Sequence, residues 1–90
     1  MESVSARLRA RIDRDFPAPG SADEVARLVA EASDSERIHA AIVLWAAGDL
    51  GRLLNSVELA AVDWRDVLVR GGLEHDDWRD RLDSELGPTR

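Results

Sequence analysis

Ile38-His39-Ala40-Ala41-Ile42-Val43-Leu44-Trp45-Ala46-Ala47 (residues 38–47) is an almost wholly apolar run with His39 as its single polar interruption. Over three turns it shows no polar face, and a helix that is apolar all round must be covered all round. In a chain of 90 residues, such a segment is either the central helix of a bundle or a face donated to a partner.

The flanking residues read as shorter amphipathic helices that would supply the cover. Ser33-Asp34-Ser35 offers a cap before Glu36, and Gly48-Asp49 ends the run. Leu50, Leu53, Leu54, Val57 and Ala61 then form one stripe, predicting an antiparallel hairpin of the third and fourth helices. Upstream, Val25, Leu28, Val29 and Ala32 recur at helical spacing, with Ser21 and Glu24 spaced as a capping box. The first segment carries only a narrow stripe of Val4, Leu8 and Ile12 before Phe16-Pro17-Ala18-Pro19-Gly20 stops it. Residues 1–20 are therefore expected to be a loosely packed helix and a Pro/Gly linker.

Downstream, Asp63-Trp64-Arg65-Asp66 and Asp77-Trp78-Arg79-Asp80 echo each other at an offset of 14 residues. Each reads as a helix start, with aspartate at the cap and a second aspartate where it meets the positive end of the helix dipole. The first helix would carry Val67 and Leu68 and stop at Gly71-Gly72; the second would carry Leu82 and Leu86 and stop at Gly87-Pro88. No segment alternates with a period of two, so strands are not expected. The predicted architecture is all-α: residues 1–90 as one domain, a bundle of five to six short helices near 2–15, 22–33, 36–47, 50–62, 64–70 and 76–86.

Composition narrows the functional classes. With no cysteine, a disulfide framework, a thiolate metal site and a cysteine nucleophile are excluded together. All twelve basic residues are arginine, a bias expected of a GC-rich bacterial genome, and eighteen acids bring the net charge to −6. That balance argues against binding to nucleic acid or an anionic membrane, both of which need a cationic surface. Arginines at positions 7, 9 and 11 stand where a signal peptide would have its apolar core, and no run approaches the roughly 20 residues of a membrane span. A cytoplasmic location is expected.

The only histidines are His39 and His75, and neither lies in an HExxH or His-Cys pattern. His39 reads as a boundary residue with one ring nitrogen hydrogen-bonded. Glu74-His75-Asp76-Asp77 lacks the spacing of a calcium loop and reads as a solvated helix start. His39, His75, Asp76 and Asp77 remain a candidate ligand set for a small-molecule or metal-binding domain with a pocket between helices. The glycines form no phosphate loop, no strand-elbow serine is present, and no catalytic residue or cofactor is expected.

Among the tryptophans, Trp45 is expected in the core. Trp64 and Trp78 open short helices with few apolar neighbours; they are read as staples to the bundle, with partner anchors as the alternative. The anchor reading rests on Trp64-Arg65 and Trp78-Arg79, since these residue types dominate interface hot spots. A role as an acidic nucleic-acid mimic is disfavoured because Arg79/Asp83 and Arg81/Glu85 have the i,i+4 spacing of mutually neutralising pairs.

From Glu36 to Gly87, with DWRDVLV at 63–69 and DWRDRLDSELG at 77–87, the chain resembles a small group of all-helical bacterial proteins with no assigned function. The resemblance implies no activity and no functional residue. The expected role is a non-enzymatic protein–protein interaction module, with a second copy or another protein as partner and an apolar face of the third or fourth helix as the contact.

Overall fold

In a computed structural model that describes residues 4–87, the chain forms helices α1 (Ala6–Asp15), α2 (Ser21–Ala32), α3 (Glu36–Ala46), α4 (Leu50–Val62), α5 (Trp64–Gly71) and α6 (Trp78–Leu86), with no strand among the described residues. The all-α bundle expected from the periodicities is the fold. None of these helices is long and apolar enough to cross a membrane.

Helix α3 is the axis of the molecule. It packs against each of the other five helices, and His39, Ala40, Ala41, Ile42, Val43 and Ala46 are all buried. Cover comes from Leu8, Ile12 and Phe16, from Val25, Ala26 and Val29, from Leu53, from Val67 and Leu68, and from Leu73 and Leu82. Each large aliphatic side chain removed from water in this way contributes about 1.5–3 kcal/mol.

Local chemistry accounts for most helix ends. Ser5 caps α1 and Ser35 caps α3, each hydroxyl accepting the N–H three residues on. Asp49 caps α4 through Arg52 N–H at 3.0 Å. Asp63 serves two helices at once: its N–H donates to Leu59 O at 2.7 Å, closing α4, while Oδ1 accepts Arg65 N–H at 3.1 Å, opening α5. The α5 stop is a Schellman motif. Gly72 has φ 72°, and Leu73 N–H reaches back to Leu68 O at 2.9 Å.

Several boundaries differ from the sequence reading. The capping box at Ser21 does not form, because Gly20, with φ 79°, takes the cap position and Ser21 is already helical. Glu24 N–H then bonds Gly20 O at 3.2 Å. Helix α3 stops one residue early, since Ala47 turns left-handed at φ 49°. Helix α6 starts at Trp78 rather than 76, and Asp77 occupies its cap without a side-chain bond. The expected start of α1 at residue 2 falls outside the described residues.

The first segment, expected to pack loosely, buries Leu8, Ile12 and Phe16 and is also tied down by charge. Arg7, largely buried, donates Nε and Nη2 to the two oxygens of Glu36 at 2.9 Å each. Its Nη1 donates to Asp83 at 2.6 Å and to Gly87 O at 2.9 Å. One guanidinium thus joins α1 to α3 and α6, and its pKa is raised above the usual arginine value, chiefly by the bond to Glu36.

Candidate functional site

Five large apolar side chains are exposed among the described residues: Leu50, Leu54, Val62, Trp64 and Val69. All belong to α4 or α5, which are consecutive in the chain. On α4 the pattern is a stripe in which Leu50, Leu54, Val57 and Ala61 recur at i, i+4, i+7 and i+11. It runs for about 16 Å at 1.5 Å per residue. Val57 is half-buried and the other three are exposed, so the stripe borders the core-facing side of the helix without being covered by it. Val62, 85% exposed, and Trp64, 48% exposed, stand on either side of the Asp63 corner between α4 and α5.

Helices α4 and α5, with Asp63 between them, sum to zero charge. Residues 50–71 carry Arg52, Arg65 and Arg70 against Glu58, Asp63 and Asp66, while the whole chain carries −6.

The sequence-predicted candidates fall in different places. Trp64 is half out in solvent with the Arg65 guanidinium 5.3 Å from its ring. Trp78 packs against the core, with the Arg79 and Arg37 guanidinium groups 4.4 and 5.0 Å from its ring centre. Arg37 also donates to Leu73 O at 2.8 Å, so Trp78 sits against a fixed part of the α5–α6 connection. Trp78 is thereby built into the bundle with Arg79 exposed beside it, whereas Trp64 and Arg65 are both exposed.

His39 is buried and its Nε2–H donates to the carbonyl of Ser33 across the α2–α3 turn. His75, Asp76 and Asp77 are exposed, and His75 Nε2 lies 3.1 Å from Glu74. The four residues of the candidate ligand set do not converge. Among the described residues no group of three His, Asp or Glu side chains is arranged to hold a metal ion.

Trp45 departs from its expected core position. It is half-buried, with the Arg52 guanidinium 4.3 Å and the Arg70 guanidinium 4.4 Å from its ring centre. The ring lines a cleft of about 330 Å³, to which Arg11, Arg52, Arg70, Arg81 and Glu85 also contribute. These arginines come from four helices and share no sequence motif. The one sequence signal near them, the Arg81/Glu85 spacing, pointed to an intrahelical pair that does not form: Glu85 lies 3.8 Å from Arg11 instead. The companion Arg79/Asp83 pair is likewise replaced by Arg7–Asp83 at 2.6 Å.

No protein-family model matches the chain, and comparison with curated proteins and with solved structures finds no match either.

Proposed function

We propose that the chain is a non-enzymatic interaction module that associates with a second copy of itself through the stripe of α4 and the start of α5. The observation that carries this reading is the confinement of every exposed large apolar side chain among the described residues to these two helices. Contiguous exposed apolar surface on a small protein marks a contact site, and an aromatic residue beside arginine is the usual anchor of one.

Charge favours a second copy as the occupant. A chain carrying −6 meets its own like charge on approach, and that repulsion is smaller along a stripe whose exposed side chains, Leu50, Leu54 and Ala61, are uncharged. Two stripes packed about a two-fold axis would make a self-complementary contact in which Leu54 meets its own equivalent region. A contact built on one helix stripe and one tryptophan is small, so the dimer is expected to be weak, with a dissociation constant on the order of 10–100 µM.

Sedimentation or light scattering from about 10 µM to about 1 mM tests this. The wild-type mass is expected to rise from 9.9 kDa toward twice that value. Leu54→Asp, at an exposed position, is expected to hold it at the monomer value with an unchanged helical spectrum. A wild-type chain that remains monomeric throughout overturns the reading.

A further inference from the structure

The cleft beside Trp45 is cationic in a protein that is acidic overall. Its four arginines face one carboxylate, Glu85. Arg11 is accounted for by Asp15 at 3.0 Å and Glu85 at 3.8 Å. The other three have no carboxylate partner among the described residues. Arg70 Nη1 donates to two neutral oxygens, Asn55 Oδ1 at 2.7 Å and Ser56 Oγ at 3.4 Å. Arg52 rests on the Trp45 ring. Arg81 has Asp77 four residues before it and Glu85 four after, yet its guanidinium is paired with neither.

Eighteen acids accompany twelve arginines, so a shortage of carboxylates does not explain three cations without a carboxylate partner in one concavity. Holding like charges together costs free energy, and a recess focuses their field on whatever enters it. We infer that this cleft binds a compact anion carrying two or more phosphoryl groups, held by Arg52, Arg70 and Arg81. Guanidinium groups bind phosphoryl oxygens through paired N–H donors, and three of them match the charge of a diphosphate. The volume is at the small end for a ligand pocket. Because guanidinium groups already lie over the Trp45 ring, the phosphoryl groups rather than a stacked base carry recognition. This site is separate from the α4 stripe and does not depend on self-association.

Titration calorimetry of the full chain with sodium pyrophosphate at constant ionic strength is the test. A saturable single site is expected, weakened at least tenfold in Arg81→Gln and in Arg52→Gln, and unchanged in Arg65→Gln and in Leu54→Asp. The Arg81 guanidinium makes neither an ion pair nor a ring contact among the described residues, so unliganded Arg81→Gln is expected to melt with the wild type, whereas Arg52→Gln also loses its contact with the Trp45 ring. Adenosine diphosphate is expected to bind no more tightly than pyrophosphate. The inference is overturned by absence of saturable binding to the wild type, by equal binding of sulfate, by equal loss in Arg65→Gln, or by a clear preference for the nucleotide.

Discussion

At the scale of single residues, the two glycines at the end of α5 illustrate how one dipeptide can hold two unrelated jobs. Gly72 is required for its left-handed backbone, which is the role its position after an apolar stripe suggests. Gly71 is required for lack of volume. A Cβ there would lie 2.5 Å from the Ala41 Cα and 2.6 Å from its Cβ, where α5 crosses the central helix. Backbone cannot yield as a flexible side chain would, so Gly71→Ala is expected to cost about 3 kcal/mol, measured as a lowered urea midpoint at unchanged m. Ala47 presents the opposite case. It is exposed and left-handed at φ 49°, a conformation that costs a non-glycine residue about 1 kcal/mol. Ala47→Gly is therefore expected to stabilise the chain by about 0.5–1 kcal/mol and raise the melting temperature by a few degrees.

At the scale of elements, α1 shows what a narrow apolar stripe leaves out of account. Leu8 and Ile12 alone suggest a marginal helix, yet Arg7 and Arg11 place bonds on two other helices, α3 and α6. Glu36 reports on this attachment through pH. Its carboxyl lies below the ordinary 4.5, principally because it accepts from Arg7, with burial opposing the shift. A depressed folded-state value means that the stabilisation is fully present above the unfolded value, near pH 4.5, and is lost as pH falls through the folded value. Glu36→Gln is expected to lose about 1–2 kcal/mol at pH 7 and to approach the wild type in acid, as read from urea midpoints at both pH values. Element identity was legible because each helix carries its own period and most carry their own cap. The exceptions are instructive: Ser21 and Glu24 have capping-box spacing, but Gly20 reaches the left-handed region that lets the backbone turn one residue earlier.

At the scale of the whole molecule, local spacing loses its force. The sequence supports a covered apolar run, and α3 is covered; it does not reveal which charges neutralise which. Arg79/Asp83 and Arg81/Glu85 satisfy the i,i+4 rule, but Asp83 and Glu85 are drawn to arginines more than seventy positions away on α1. That rearrangement leaves Arg81 uncommitted beside Trp45, and a net charge of −6 conceals it. Trp64 and Trp78 share one sequence context, read first as a staple and alternatively as an anchor, yet Trp64 is half exposed while Trp78 packs against the core. Trp45 was misplaced because an apolar run says nothing about which member faces a cleft.

The bond from Arg7 to the Gly87 carbonyl also gives the chain a topology that its linear order hides. Helices α1 and α6 are stapled to each other, so the six helices behave as a closed circuit held shut by the Arg7 guanidinium. A chain cut at the exposed Pro17–Gly20 turn is then expected to keep α1 on the fold through that staple rather than through the covalent link.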